Sequence, residues 1–523
     1  MIPTGPHARD LESRTHPAAR AEWRPVWVAL VLSGAVGAWL CAGMPEFAQE
    51  AYYWVCSRRF ALSYFDHPPL APWLIAAGTS LFGDGPFGIR VGMLACALAT
   101  TLVGLRLLEA FGADRKTLLA WVVLRFGLPL FAAQHFFAGP DTPLSLFWLA
   151  SVLALWRARE SGTLGWWLAS GAALGLALSS KYSAVFLIPG ALVVLALDPV
   201  LRRRAATGGP WAAALVAALV FLPVVVWNAR NGWASFLFQT AQRAQAAQPT
   251  LHWFGQFVAL QALGLTPTIF VCLALASVAS WRRWLRERAA RELWLLAFGL
   301  PLVFFMTAAS FAIHVKINWI MPAYGPLTLC ALLWWRESRI EARRPRTARL
   351  VRGTAYAVCV LMALGPAIRF LPQVGSKHPS WSGWDEIAAS ALEWRAQLEQ
   401  RRSGDGGVFL LAPDHRDAAE LALHIWRRGG AADRAAFDDI LAQEAFGENG
   451  RQFGLWAPAE ERLGQDAVFV LVRPEVRVKY LEKVGARFDR VEHAARTVVS
   501  LRGRTIQAAD VYICFGYRGP GRP

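Results

Sequence analysis

The sequence has little charge and no cysteine pattern that would hold a metal ion or a disulfide framework. Charged residues make up 17% of the 523 residues, and the seven cysteines are scattered without the spacing of metal ligands. The part of the chain after Gly375 also lacks glycine-rich phosphate loops, zinc signatures and Gly-x-Ser-x-Gly elbows. These absences argue against a disulfide-stabilised domain and against the commonest nucleotide-binding, zinc-binding and serine-hydrolase sites.

Apolar residues, in contrast, are abundant. The chain is 55% hydrophobic, has a mean hydropathy of +0.32 and contains 25 tryptophans, which excludes an ordinary soluble protein. Apolar runs that suffice to cross a hydrocarbon core of about 30 Å recur throughout the part before Leu371, and predict about eleven transmembrane helices. The predicted spans lie near Val26–Met44, Phe87–Leu107, Thr117–Phe137, Pro143–Trp156, Leu164–Leu178, Ala184–Leu197, Trp211–Trp227, Phe257–Ser280, Leu293–Ala312, Trp319–Trp335 and Thr354–Phe370.

The formal net charge of +17 is distributed in clusters rather than evenly. Under the predicted spans, clusters such as Arg157/Arg159 and Arg202–Arg204 all fall on one side of the membrane. The positive-inside rule makes that side the cytoplasm. The excess charge therefore sets topology and favours contact with anionic lipids, whereas nucleic-acid binding is disfavoured. The expected location is the bacterial inner membrane, with the N-terminus in the cytoplasm.

The chain changes character near Gly375, where charge rises and the apolar runs shorten to the length of strands. Helical patterns alternate with these runs, which predicts a compact α/β domain outside the membrane. The predicted division is a cytoplasmic tail over residues 1–25, a transmembrane domain over residues 26–372 with a first external loop at 45–70, and a periplasmic soluble α/β domain over residues 373–523.

Charged side chains at the outer membrane edge are the candidates for chemistry, because such charges are costly and by default mark a functional site. Four external loops carry them in the predicted topology, and together they would form one polar cavity. The first is QEAYYWVCSRRFALSYFDHPPL, which begins at Gln49. The relevant residues of the four loops are Glu46, Glu50, Arg58, Arg59, Asp66, His67, His135, Asp141, Lys181, Tyr182, His314, Lys316 and Asn318.

Structural roles compete with this interpretation for each residue taken alone. Glu50 opens an amphipathic stretch that is suited to lying in the membrane interface. Asp66 and Asp141 each precede prolines and are placed to cap a helix. Lys181 and Lys316 are suited to anchoring the chain at the lipid headgroups. The convergence of the four loops, rather than any one residue, is what favours a functional site.

The ordered motifs resemble a known family. EAYYW followed by YFDHPPL is similar to the first external loop of bacterial dolichyl-phosphate-mannose-protein mannosyltransferase-like enzymes. These are GT-C glycosyltransferases related to the aminoarabinose and galacturonosyl transferases that modify lipid A. GPDTPLSLFW, SSKYSAVFLIPG, WNARNGWASFLFQ and VKINWIMPAY resemble further family segments in the same order. The resemblance covers residues 25–335.

The resemblance implies a GT-C fold and transfer of a sugar from a polyprenyl-phosphate carrier to an acceptor hydroxyl on the outer face of the membrane. The acceptor would be lipid A or another lipopolysaccharide, a glycolipid or a protein. Relatives commonly have Asp-Glu where this chain has Gln49-Glu50. In this chain the proton-accepting role then passes to Glu50, Glu46 or Asp66. The alternative is that the catalytic activity of this member is impaired.

The residue types present suit such a transfer. Attack by a hydroxyl requires a carboxylate that accepts its proton, and the departing phosphate requires nearby cations. The predicted catalytic residues are Glu50, Asp66 and Asp141. The predicted substrate-binding residues are Tyr53, Arg58, Arg59, His67, Lys181, Tyr182, Lys316 and Asn318. A divalent metal ion would be held by Asp66, His67 and Asp141, a mixed oxygen and nitrogen set.

Two other functions remain open from the residues. One is a polytopic transporter or flippase for lipid-linked sugars, in which membrane carboxylates relay ions or bind a headgroup. Transporters usually place such groups near the membrane midplane and in matching halves, whereas here they lie at one edge. The other is a non-catalytic sugar-lipid binding protein, which Gln49 keeps open.

Overall fold

The computed structural model of the protein describes residues 17–242, 249–364, 382–401, 407–472, 477–501 and 503–521. In these residues the chain forms a large helical bundle followed by a smaller domain built on a five-stranded sheet. The predicted class, a polytopic helical protein with a C-terminal α/β domain, is confirmed. The predicted boundary at 372/373 and the first sixteen residues of the tail lie outside the described residues.

The helical part runs from Pro17 to Ala363. Short 3-10 segments continue several of its helices, including Ala133–His135, Tyr182–Phe186 and Ile317–Ile320. Its helices in chain order are α1 Pro17–Gly43, α2 Ala48–Arg58, α3 Leu70–Phe82, α4 Pro86–Ala110, α5 Arg115–Gly127, α6 Pro129–Ala132, α7 Asp141–Ser161, α8 Leu164–Ser180, α9 Leu187–Leu197, α10 Pro199–Ala205, α11 Gly209–Arg230, α12 Ala234–Leu237, α13 Leu251–Leu265, α14 Pro267–Glu287, α15 Ala290–Ala297, α16 Leu300–Ala309, α17 Met321–Glu337, α18 Ile340–Arg343 and α19 Pro345–Ala363.

Five helical spans in the described part are long and apolar enough to cross a membrane, and two bent pairs raise this number to seven. The bent pairs are broken by 76° and 101°. Most other predicted spans are also helical, but they are shorter, interrupted or more charged. The five spans are Trp23–Gly43, Pro86–Ala110, Gly209–Arg230, Pro267–Glu287 and Ala290–Ala309.

Prolines explain why two spans that were predicted to be continuous helices are each interrupted. The predicted span Phe257–Ser280 is two helices, because α13 ends at Leu265 and α14 begins at Pro267. Between them Thr266 has φ +64°. Proline lacks a donor N–H and disfavours helical geometry in the residue before it, so a helix ends there. Pro129 likewise breaks the predicted span Thr117–Phe137 into α5 and α6.

The C-terminal domain is a mixed sheet with helices packed against it. Strand order is β2-β1-β3-β5-β4; β1 is parallel to β2 and β3, whereas β5 is antiparallel to β3 and β4. The elements are α20 Trp384–Arg401, β1 Val408–Leu411, α21 His415–Arg428, α22 Ala431–Asp438, β2 Ile440–Leu441, α23 Gln452–Trp456, β3 Asp466–Leu471, α24 Arg477–Gly485, β4 Phe488–Leu501 and β5 Arg504–Tyr517.

The short helix α2 joins the two parts, since its buried face belongs to the same apolar core as helix α21. The Trp54 ring lies 6.0 Å from both the Trp426 and the Phe437 ring. Asp84, in the turn between α3 and α4, accepts hydrogen bonds from the indoles of Trp54 at 2.8 Å and Trp426 at 3.1 Å. The loop that was predicted to be the first external one is therefore covered by the C-terminal domain.

Candidate active site

Asp66 lies at the contact between the two parts of the molecule. The Tyr52 hydroxyl donates to its Oδ1 at 2.7 Å, and Arg451 Nη1 donates to its Oδ2 at 2.8 Å. Gln239 Nε2 donates to its backbone carbonyl at 2.5 Å. The residue is only 3% exposed. Two segments of the membrane part and one of the C-terminal domain thus hold a single carboxylate in place.

Asp66 is held in its charged form. Burial alone would raise its pKa, but neighbouring His67, Arg451 and the hydrogen bond from Tyr52 outweigh burial and leave the pKa below its ordinary value. His415, whose ring lies 5.1 Å from that of Tyr52, has its pKa lowered to about 3 by burial and by Arg451. At neutral pH the site therefore contains a carboxylate and an uncharged imidazole.

Asp141 forms a second cluster at the first turn of α7. Lys181 Nζ donates to its Oδ1 at 2.7 Å, and Asn318 Nδ2 donates to its Oδ2 at 2.6 Å. The aspartate and the lysine are each 8% exposed. Charge-assisted hydrogen bonds of this kind fix both oxygens of the carboxylate. Three of the four predicted external loops therefore meet at this point.

Tyr53 is near enough to both carboxylates to be influenced by their charges. Burial raises the pKa of its phenol, and the charges of Asp66 and Asp141 raise it further. The Gln49 side chain is hydrogen-bonded to the phenol. A Cβ atom at Gly139, two residues before Asp141, would lie 3.9 Å from the Tyr53 ring. Gln49 therefore lies beside the same tyrosine whose pKa both carboxylates raise.

The remaining predicted substrate-binding residues are spread around this centre. The His67 ring packs edge-on against Tyr53 with centroids 5.9 Å apart. The Tyr182 hydroxyl is 2.6 Å from the Ser235 hydroxyl. Lys316 has an exposed side chain just before Asn318. His67 is thus at the centre, whereas Tyr182 lies towards the segment around residue 235.

Glu50 has a different environment from the one predicted for a base. Its Oε1 accepts from Arg90 Nε at 2.8 Å and from the Ala138 N–H at 2.7 Å. Its Oε2 accepts from Arg90 Nη2 at 2.6 Å and from the Phe47 N–H at 2.9 Å. Both charged side chains are fully buried. With every contact made inside the protein, this geometry favours a structural role over the predicted catalytic one.

Arg58 and Arg59 contact protein groups rather than the space around Tyr53. Arg58 donates to Thr79 at 2.5 Å and lies 3.3 Å from Asp84. Arg59 pairs with Asp438 of the C-terminal domain at 2.6 Å. These contacts differ from the predicted donor binding, because the guanidinium groups join the first loop to its surroundings.

Comparison with known proteins now becomes informative. Residues 66–227 match the family model described as dolichyl-phosphate-mannose-protein mannosyltransferase. A lipid A galacturonosyltransferase of Rhizobium johnstonii is 26% identical over 71% of this chain and 76% of its own length. An undecaprenyl phosphate-alpha-4-amino-4-deoxy-L-arabinose arabinosyl transferase of Pseudomonas paraeruginosa is 32% identical over 53% of this chain and 51% of its own length. The chain thus spans about half the length of the Pseudomonas relative.

Solved structures show the same fold. The crystal structure of ArnT from Cupriavidus metallidurans in the apo state matches with a TM-score of 0.59 at 16% identity, over 94% of this chain and 98% of ArnT. The chain therefore has the GT-C fold of these membrane glycosyltransferases. The structure of the same ArnT bound to undecaprenyl phosphate matches this GT-C protein with a TM-score of 0.56 at 15% identity, over 92% and 97% of the two chains.

The predicted metal site of this GT-C protein is not assembled. Among the described residues, no group of three or more His, Cys, Asp or Glu side chains is placed to hold a metal ion. The oxygens of Asp66 are bound by Tyr52 and Arg451, and those of Asp141 by Lys181 and Asn318. Asp66, His67 and Asp141 therefore do not form the predicted ligand set.

Two residues of the GT-C site were not predicted from the sequence. Arg90 is one of two arginines within the predicted span Phe87–Leu107, the other being Arg106 at its end, and a charge inside a membrane span is itself a reason to expect a buried partner. Arg451 carries no such signal, because it is one of many arginines in the C-terminal domain and lies 385 residues from Asp66 in sequence.

Proposed function

We propose that this GT-C protein transfers a sugar from a polyprenyl-phosphate carrier to an acceptor hydroxyl. The observation that carries the proposal is the pair of buried, hydrogen-bonded carboxylates Asp66 and Asp141, both near enough to raise the pKa of Tyr53, with Asp66 also bound by Arg451 of the C-terminal domain. The relatives support the donor class, since their names specify an undecaprenyl-phosphate-linked sugar and lipid A. A membrane lipid or glycan is accordingly the proposed acceptor.

The proposed reaction is a single displacement at the anomeric carbon. The acceptor oxygen forms a bond to that carbon while the bond from carbon to the phosphate oxygen breaks. The polyprenyl phosphate leaves with the bonding electron pair. The proton of the acceptor hydroxyl passes to a carboxylate of the enzyme. The reaction needs a charged carboxylate at the acceptor and positive or hydrogen-bonding groups at the phosphate.

We assign the proton-accepting role to Asp66, because its pKa is lowered and it is therefore charged at neutral pH. Asp141 is assigned to orienting the substrate, since Lys181 and Asn318 fix both of its oxygens. His67 and Tyr53, whose rings pack edge-on against each other, are assigned to sugar binding. Tyr182, Lys316, Lys181 and Asn318 remain proposed donor contacts.

The proposed location is the bacterial inner membrane, with the N-terminus in the cytoplasm and residues 373–523 in the periplasm. Helix α7 supports this orientation. It has 21 residues, with Asp141 in its first turn and Arg159 in its last. At about 1.5 Å per residue these ends lie about 30 Å apart, the thickness of a hydrocarbon core. The site and the arginine clusters thus belong to opposite membrane faces.

The test is a transfer assay with purified protein, radiolabelled polyprenyl-phosphate sugars and a lipid extract that includes lipid A. Asp66→Asn is expected to lower kcat/KM at least about 100-fold, the usual contribution of a positioned base. Asp141→Asn is expected to lower it about tenfold or more, through lost orientation of the substrate. The matched control is Asp114→Asn, since Asp114 caps α5 at the opposite membrane face.

The control is expected to transfer sugar at the parent rate. The proposal is wrong if the parent gives no labelled product with any donor, because a sugar-lipid binding protein or a flippase would give that result. It is also wrong if both Asp66→Asn and Asp141→Asn transfer sugar like the parent.

A further inference from the structure

Arg451 brings the C-terminal domain into direct contact with the candidate active site. Its Nη1 lies 2.8 Å from Asp66 Oδ2, and the two side chains are 30% and 4% exposed. Its guanidinium also lies over the Phe238 ring of the membrane part, 5.3 Å from the ring centre. No other hydrogen bond from this guanidinium is found within the described residues. The guanidinium therefore holds Asp66 and packs on Phe238, while 30% of the Arg451 side chain stays exposed.

The backbone at Arg451 is in an unfavourable conformation. Its φ is +55°, a region that side-chain-bearing residues rarely adopt and that costs free energy. The Arg451 N–H donates to Asn449 Oδ1 at 2.9 Å, which supports the turn. The next residue, Gln452, accepts a hydrogen bond from the Phe65 N–H at 2.7 Å. Two successive residues thus bind two successive residues of the first loop, and these contacts outweigh the strain.

The ion pair between Arg451 and Asp66 changes the electrostatics at the site where the donor phosphate would bind. A charged, buried carboxylate at Asp66 repels a phosphate that enters the same space. Lys181 is already paired with Asp141. Arg451 forms an ion pair with Asp66 at 2.8 Å, which holds the carboxylate in one orientation and adds to the effect of neighbouring His67 on its charge.

We propose that the C-terminal domain completes the active site, with Arg451 as a positioning residue that orients Asp66 and neutralises its charge beside the donor phosphate. The proposal rests on the proposed function, because it presupposes a polyprenyl-phosphate donor. It predicts that Arg451 increases the affinity for the donor phosphate only while Asp66 carries its negative charge.

The kinetic test compares Arg451→Gln, Arg451→Lys and the control Asp438→Asn. Asp438 also pairs across the two parts of the molecule, with Arg59, but is 69% exposed and away from Asp66. Arg451→Gln is expected to lower kcat at least about tenfold, because Asp66 is then misoriented. Arg451→Lys keeps the positive charge and is expected to lower kcat less. Asp438→Asn is expected to stay within about twofold of the parent. The proposal is overturned if Arg451→Gln stays within twofold, or if Asp438→Asn loses as much activity.

The binding test measures the Kd of undecaprenyl phosphate for the parent, Arg451→Gln and the double variant Asp66→Asn/Arg451→Gln. Arg451→Gln is expected to raise Kd about tenfold, because Asp66 is then an unpaired like charge. The double variant is expected to return within about threefold of the parent, because the repelling charge is gone. A double variant that binds as weakly as Arg451→Gln overturns the proposal, as does a single variant that binds like the parent.

These two measurements separate the two hypotheses. A parent that binds undecaprenyl phosphate but transfers no sugar contradicts the proposed function, while the binding cycle still decides the role of Arg451. A parent that transfers sugar but shows no dependence on Arg451 contradicts only the role of the C-terminal domain. A parent that neither binds undecaprenyl phosphate nor transfers sugar contradicts both hypotheses.

Discussion

Glu50 and Asp66 are carboxylates of the same loop region between α1 and α3, yet their surroundings give them different capacities. Glu50 makes four hydrogen bonds inside the protein and pairs with a fully buried arginine. Asp66 contacts one hydroxyl and one guanidinium that is partly exposed. A base must reach the substrate, and Asp66, unlike Glu50, is paired with a side chain that is partly exposed. At the scale of single residues, the contacts of each oxygen therefore decide the assignment.

Glu50→Gln is expected to destabilise the protein rather than to abolish its chemistry. Removing the charge leaves Arg90 buried without its counter-ion, which costs about 3–5 kcal/mol in the free energy of unfolding. Thermal unfolding in detergent measures this loss, with transfer activity expressed per folded molecule. Glu109→Gln is the control, since Glu109 forms a more exposed pair with Arg106 whose loss costs less than about 1 kcal/mol. Unchanged stability together with lost activity would instead support Glu50 as the base.

The sequence predicted part of this residue-level arrangement. Asp141, Lys181 and Asn318 were predicted to converge because charges at a membrane edge rarely stand alone, and they are in contact. The partners Arg90 and Arg451 were not predicted, because pairing across tens or hundreds of residues depends on the packing of helices and domains. Local patterns contain no information about that packing.

At the scale of elements, the turn between α3 and α4 determines how the C-terminal domain sits on the first loop. Asp84 in this turn accepts hydrogen bonds from the Trp54 and Trp426 indoles. Gly88, in the first turns of α4, packs directly under it: a Cβ there would lie 2.0 Å from the Gly83 carbonyl oxygen. Only a residue without a side chain allows this close approach.

Gly88→Ala is therefore expected to displace the turn and weaken the docking of the C-terminal domain. Forcing an extra methyl group against backbone costs about 1–3 kcal/mol in the free energy of unfolding. The matched control is Gly85→Ala, because no atom lies within 4 Å of a Cβ at Gly85 and its φ of −76° suits alanine. Thermal unfolding of both variants checks the prediction. Equal stability of the two variants would show that the close approach is unimportant.

Elements were predicted best where their signals are local. Apolar runs located most of the helices, and the short apolar runs predicted to be strands after Gly375 correspond to strands such as Val408–Leu411 and Asp466–Leu471. The breaks at Pro129 and Pro267 were missed, because an apolar run gives no weight to a proline inside it. Hydropathy measures the length of an apolar run. Whether the helix through that run is continuous depends on its backbone N–H donors, one of which a proline removes.

At the scale of the whole molecule, the C-terminal domain contributes both to the site and to the pH dependence of stability. Glu444 follows β2 and is buried, and its Oε2 has no hydrogen-bond partner within the described residues. Burial raises its pKa from 4.5 to about 7. The folded state thus binds this proton more tightly than the unfolded state. The resulting stabilisation is complete below pH 4.5 and is lost as the pH rises to about 7.

Glu444→Gln is expected to remove this part of the pH dependence. In the parent the free energy of unfolding should fall by up to about 3 kcal/mol between pH 4.5 and 7, because each unit of pKa shift corresponds to about 1.4 kcal/mol. The variant should lack this fall and be more stable than the parent at pH 8. The control is the exposed residue Glu461, changed to glutamine. Parallel pH profiles of Glu444→Gln and the parent would contradict a raised pKa.

The central claim, that a charged Asp66 promotes transfer of a sugar from a polyprenyl phosphate, is tested most directly by counting both products of one reaction. The measurement determines how much polyprenyl phosphate is released per sugar attached to the acceptor, in the parent and in Asp66→Asn. We expect one phosphate released per sugar transferred by the parent, and neither product above background in the variant. Release and transfer by Asp66→Asn at the parent rate, or no release by the parent, would contradict the claim.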